Sequence, residues 1–211
     1  RVHYEAPPGS RVEKDMRQFL SWWKASRGRE DGLLRAGLAH LYFVTIHPFE
    51  DGNGRIARAL TDMALAEDEQ LATRYYSLSS QVMEERDDYY AALEQSQKGS
   101  TDVTEWLAWY VGCYGRAVKK AERLIAEVLA KAEFWQHHSQ TELNARQRKV
   151  VNRLLDAGKG GFQGGLTTRK YVSLAKVSRA TAFRALSELV AKGILRPNPA
   201  KGRSASYDVN W

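Results

Sequence analysis

The run His47-Pro48-Phe49-Glu50-Asp51-Gly52-Asn53-Gly54-Arg55-Ile56-Ala57-Arg58 decides how this chain is read. Before it lies Gly32–Thr45, apolar on more than one face, which predicts a central buried helix. Pro48 ends that helix, because proline lacks an amide hydrogen and disfavours the α conformation in the residue before it. Gly52-Asn53-Gly54 then predicts a turn. Helical spacing resumes over 55–66. Glycines permit positive φ, so backbone amides can converge on one anion, and a helix starting near Arg55 adds its positive dipole end. Asp51 would repel a bare phosphate, and the conflict disappears if it holds Mg²⁺ bridging phosphate oxygens. Arg55 and Arg58 are three residues apart on one helix face and can reach a polyphosphate. His47, at the lip of the turn, can accept a hydroxyl proton near neutral pH. Taken singly these are a helix-end histidine, a surface turn and a solvated helix face. Together they form the parts of a nucleoside triphosphate site.

Working outward, Val12, Met16, Phe19, Leu20 and Trp23 recur at spacings of three and four and predict an amphipathic helix over 12–23. Residues 1–9, ending in Pro7-Pro8, predict a short strand. Further helices are predicted over 79–97, 102–113 and 114–136, with a short strand at Tyr75–Leu78. From Asn144 the order becomes helix 144–157, a glycine-rich loop, a short helix 171–176, and a longer helix capped by Ser178 and stopped by Gly193. Two strands follow at 194–196 and 204–209, joined by a basic turn over 198–203. That is the order of a winged helix-turn-helix.

Charge divides the chain in the same way. The 32 Lys+Arg and 25 Asp+Glu residues are unevenly spread: 1–140 carries a net −3 and 141–211 a net +10. This predicts two domains meeting near residue 140. The basic excess points to a polyanionic partner, with Arg179, Thr181 and Arg184 on the recognition helix and Lys201 and Arg203 at the wing tip as DNA contacts. A lone cysteine, Cys113, in an apolar helix reads as a buried inert thiol. No apolar run reaches the length needed to span a bilayer, and no signal peptide is visible. The reading is therefore cytoplasmic, without a membrane.

The twelve-residue run is identical in pattern to HPFx(D/E)GNGRxxR, the signature of the Fic family, so the chain resembles Fic-domain nucleotidyltransferases. The resemblance implies a mainly α fold: a Fic-type helical bundle over 1–140 with a short β flap, then the winged helix. It implies AMP transfer from ATP to a Ser, Thr or Tyr hydroxyl of a target protein, the chain itself included. In that scheme His47 is the general base and Asp51 the Mg²⁺ ligand. Gly52, Asn53 and Gly54 form the phosphate cradle, and Arg55 and Arg58 are the polyphosphate arginines. Members that phosphorylate their targets carry lysine where Gly54 stands, so Gly54 favours AMP as the transferred group. Phe49 is expected to be buried beneath the loop. Val2, His3 and Tyr4 resemble the flap that aligns a target segment by strand addition. Tyr90 and Gln97 fall where relatives place the adenine pocket.

Many relatives restrain themselves with a helix bearing (S/T)xxxE(G/N). Ser26–Asp31 and Thr101–Trp106 both fail at the last position, so that helix is expected upstream of residue 1. A second copy of the chain is a candidate partner. Two other readings stand beside AMP transfer: a DNA-binding regulator whose Fic domain binds nucleotide without turnover, and transfer from a different nucleotide donor.

Overall fold

A computed structural model describes residues 7–71, 73–98, 101–199 and 205–211. The chain divides into two compact units, Arg1–Glu122 and Arg123–Trp211. This division lies inside a helix, whereas the charge break lies near 140.

The first unit is helical throughout its described residues. Helix α1 (Gly9–Ser26) starts at Gly9 behind Pro8, so the expected strand cannot extend to residue 9; residues 1–6 lie outside the described ones. Asp31 accepts from the Leu34 amide and opens α2 (Gly32–Ile46). After it come α3 (Asn53–Glu69), α4 (Leu78–Glu84), α5 (Arg86–Lys98) and α6 (Thr104–His137).

Helix α2 is the central element. Ala36, Ala39, Phe43 and Ile46 are buried in a core shared with Phe19 of α1, Ala57, Ala64 and Leu65 of α3, Leu93 of α5, and Trp106, Tyr110 and Cys113 of α6. Gly37 is required there. A Cβ on it would stand 2.7 Å from the Tyr110 ring, and its carbonyl accepts from Trp106 Nε1 at 2.8 Å. One charged side chain belongs to this interior. Arg35 is 3% exposed, stacks on the Trp23 ring, and donates to Glu67, to Ser26 and to the Trp23 carbonyl. It thereby ties α1, α2 and α3 together, with its donors satisfied as a buried guanidinium requires.

Three expectations are corrected. Residues 79–97 are two helices, interrupted at Glu85, whose carboxylate is taken by both Arg116 nitrogens at 2.6 Å. Residues 102–113 and 114–136 are one helix, α6, because Trp106, Tyr110, Cys113 and Ala117 continue a single buried stripe through Tyr114. Tyr75–Leu78 is not a strand: Ser77 Oγ accepts from the Ser80 amide and starts α4.

In the second unit α7 (Ala145–Leu155) opens with a capping box between Asn144 and Gln147. Helices α8 (Thr168–Ala175) and α9 (Arg179–Ala191) follow, capped by Thr167 and Ser178. They are joined through Lys176, which adopts a left-handed conformation with φ 52°. Gly193, φ 70°, turns the chain into β1 (Leu195–Pro197), antiparallel to β2 (Tyr207–Val209) in the register Leu195↔Val209. On its other side β2 forms a bridge with Leu166, with Leu166 N donating to Tyr207 O at 2.7 Å and Tyr207 N to Leu166 O at 3.0 Å. Val150, Leu154, Tyr171, Ala182, Leu186, Leu189, Ile194 and Val209 form the core. Lys201 and Arg203 lie outside the described residues. Among the described residues no helix is long and apolar enough to cross a membrane.

Candidate active site

The end of α2 sets the geometry. His47 takes a left-handed conformation (φ 52°, ψ 54°), its amide closes the helix on the Phe43 carbonyl at 3.1 Å, and its side chain is turned to solvent. Nδ1 lies 3.3 Å from the Val44 carbonyl. With Nδ1–H donating there, Nε2 is the nitrogen left as acceptor on an exposed side chain, the tautomer a proton acceptor needs.

The loop between α2 and α3 is braced by Asn53. Its side chain is 3% exposed; Oδ1 accepts from the Phe49 amide at 3.1 Å, and Nδ2 donates to the Phe49 carbonyl at 2.5 Å. Both side-chain groups are thus spent on the loop itself, and only the backbone amide of Asn53 remains to face an anion. Phe49 is half exposed rather than buried, which corrects the sequence expectation; its ring rests 6.4 Å from Phe43 at the rim of the core.

Gly52 is the N-cap of α3, at φ 88°, a conformation that favours glycine. It has no side chain to cap the helix, so the amides of Asn53, Gly54 and Arg55 keep the unmet donor capacity of a first helical turn. Asp51 accepts from the Gly52 amide at 2.6 Å and from Arg55 Nη2 at 2.8 Å, while its side chain remains 89% exposed. The two arginines fold back over the turn. Arg55 Nη2 lies 3.6 Å from where a Cβ on Gly52 would stand, and Arg58 Nη1 lies 3.6 Å from the same point on Gly54. One carboxylate, two cations and the first-turn amides therefore gather around Gly52 and Gly54, on the loop that His47 opens.

That donor set suits Mg²⁺ carried on a polyphosphate, which takes one or two protein carboxylates and completes its shell with phosphate and water. It does not suit an all-protein metal cage: no group of three or more His, Cys, Asp or Glu side chains converges among the described residues.

Beneath Arg58 lies a narrow recess lined by His40, Thr61, Tyr89, Trp106 and Trp109 among others. His40 is 2% exposed and held on both sides, Nδ1 at 3.0 Å from Thr61 Oγ1 and Nε2 at 3.0 Å from Tyr89 Oη. Thr61 donates to the Ala57 carbonyl, so its oxygen accepts from His40 Nδ1–H, and Tyr89 donates to Nε2. Burial, reinforced by the Arg58 charge, lowers the His40 pKa to about 3 and keeps the ring neutral. This relay joins α2, α3 and α5. Sequence reading passed over it, because a histidine in an apolar run carries no local mark of its partners. Tyr90, next along α5, is about half exposed under the Arg86 guanidinium, with its ring 5.1 Å from Tyr89. Gln97 donates to Thr45 Oγ1 at 3.2 Å, on the last turn of α2. Val2, His3 and Tyr4 lie outside the described residues.

In the second unit Arg179 and Arg184 are exposed on α9, while the Thr181 hydroxyl is taken up at 2.9 Å by the capping Ser178.

The model of the Fic/DOC family matches residues 1–65, the segment holding α1, α2 and the signature loop. A probable protein adenylyltransferase of Aquifex aeolicus (strain VF5) is 29% identical over 105 residues, half of this chain and 30% of that relative. Protein adenylyltransferase Fic of Nematostella vectensis is 31% identical over 124 residues, 56% of this chain and 26% of that relative. The chain thus spans under a third of the length of these curated relatives. The crystal structure of a Fic family protein from Desulfovibrio desulfuricans G20 superposes with a TM-score of 0.51 at 22% identity, over 98% of this chain and 57% of that one, a likeness of fold.

Proposed function

We propose that the chain transfers AMP from ATP to a protein hydroxyl, its own included. The single observation that carries this is an exposed His47, bonded through Nδ1 alone, on the loop that leads into the uncapped first turn of α3. The target oxygen attacks the α-phosphorus as His47 Nε2 takes the hydroxyl proton. The new P–O bond forms, the bond to the bridging oxygen breaks, and pyrophosphate leaves. Arg55 and Arg58 offset the charge that accumulates on the departing phosphates, and the amides of Asn53, Gly54 and Arg55 orient them. Asp51 would hold Mg²⁺ on the polyphosphate, which supplies neutralisation of its charge. For this Asp51 gives up its contacts to Arg55 and Gly52, both low in cost at such an exposed position. Tyr90 is the aromatic surface offered to the base. Gln97 is the weaker candidate, since Thr45 already accepts from it.

Residues 141–211 form a winged helix-turn-helix in this reading, supported by three capped helices, the β1–β2 hairpin and the bridge at Leu166. Incubation with ATP labelled at the α-phosphate tests the transfer. Label retained on protein, and lost in His47→Ala, is expected. Label retained only from γ-labelled ATP, or equally retained by His47→Ala, overturns it. Nucleotide binding without any retained label would favour the regulator reading instead.

A further inference from the structure

The outer face of α9 carries a side chain that neither the core nor the nucleotide site uses. Ala182, Leu186 and Leu189 face inward and are fully buried. Phe183 faces away from them and is 60% exposed. Helical spacing places it beside Arg179 and Ala180 on one side and Ser187 on the other. A ring so exposed is open to a partner, and an apolar contact there would remove its area from water.

The surroundings define that partner's chemistry. Between Asp156 and Glu188 the sequence contains no acidic residue, yet it holds Lys159, Arg169, Lys170, Lys176, Arg179 and Arg184. The ion pairs of this unit, Lys131–Asp156 and Lys192–Glu188, both use carboxylates outside that stretch. Arg169, Lys176, Arg179 and Arg184 are exposed and make no ion pair among the described residues. Such a field suits phosphates. A membrane-docking helix would need more than one apolar side chain, and a single ring is small for a protein interface. Duplex DNA meets both requirements, for its major groove admits a helix and displays one apolar group, the thymine methyl. The A-form groove of RNA does not admit a helix, and uracil lacks the methyl.

We infer that Phe183 reads a base: in duplex DNA gripped by this cationic face, its ring packs against the 5-methyl group of a thymine. The inference rests on the winged-helix reading and is independent of nucleotide transfer.

The full chain is incubated with a pool of duplexes randomised over about 20 base pairs, and the retained fraction is sequenced. A thymine fixed at one position is expected. In the selected duplex that thymine is then replaced by deoxyuridine, which removes only the methyl, and affinity is read by fluorescence anisotropy. A loss of about five- to tenfold is expected for the wild type, the lower part of the range for one good base contact. Phe183→Ala should start at the weakened level and lose nothing further. Arg184→Ala should weaken binding to every duplex alike and flatten the salt dependence. Because Phe183 is exposed, its variant keeps the fold, and unchanged thermal melting verifies this. Equal wild-type affinity for the thymine and deoxyuridine duplexes overturns the role of Phe183 while leaving the winged-helix reading intact. So does Phe183→Ala retaining the full sensitivity. No duplex retained at low salt overturns both.

Discussion

Helix α2 carries His40 in its interior, and His47, seven residues on, caps its C-terminal end; the two histidines meet opposite fates. His40 is sealed between Thr61 and Tyr89, its pKa held near 3. His47 stands at the helix end in solvent, held by one carbonyl. The interior ring is fixed on both nitrogens and has no proton to exchange with a substrate. The terminal ring is fixed on one nitrogen and free on the other. A helix that buries its middle and ends in a left-handed residue thus yields a brace and the proposed base from one residue type.

The comparison breaks most sharply on His47→Ala. Transfer of label should fall by about 10²–10⁴, the usual share of a general base, with thermal stability unchanged. His40→Ala should do the reverse. Leaving Thr61 and Tyr89 without their partner in a packed interior should cost about 2–4 kcal/mol by urea unfolding, while the remaining folded molecules still transfer label. If His40→Ala instead abolishes transfer at full stability, the two roles have been assigned backwards. Asn53→Ala falls between them. It releases both backbone groups of Phe49, with an expected cost of about 2 kcal/mol together with reduced transfer, because the loop no longer holds its turn.

The smallest effect is one of pH. The folded pKa of His40 lies below its ordinary value of 6.5, at about 3. The unfolded chain therefore takes up a proton that the folded chain refuses. The contribution is complete above pH 6.5 and is lost as pH falls toward 3, with a slope of at most about 1.4 kcal/mol per pH unit. Urea midpoints of wild type and His40→Gln at pH 7.5, 5.5 and 4.5 should converge on acidification. Parallel curves would place the titration elsewhere.

Legibility in sequence tracked the range of each interaction. The signature run was readable because its parts are local: Pro48 stops a helix and Gly52 supplies a positive φ; Ser178, which caps the helix that begins at the next residue, was readable for the same reason. The misreadings involved side chains whose packing partners the sequence does not name. The ring of Phe49 was assigned to the interior as part of the family resemblance, yet its neighbour across the loop, Asn53, takes the buried position and bonds the Phe49 backbone instead. The division of 102–136 into two helices is overridden by the packing of Tyr110, Cys113 and Ala117 along one buried stripe of α6. Arg35 disappeared into an apolar run because Glu67, its counter-ion, is thirty-two residues away.

The unbroken course of α6 has one consequence for handling the protein. From Glu122 to Leu129 every residue is exposed, so that stretch is held by helix propensity alone, without side-chain packing. Its amides should exchange with deuterium far sooner than those around Trp106 or Phe134. A trace of trypsin should find Arg123 before other sites, and each half should emerge from the cut as a fragment with its own melting transition.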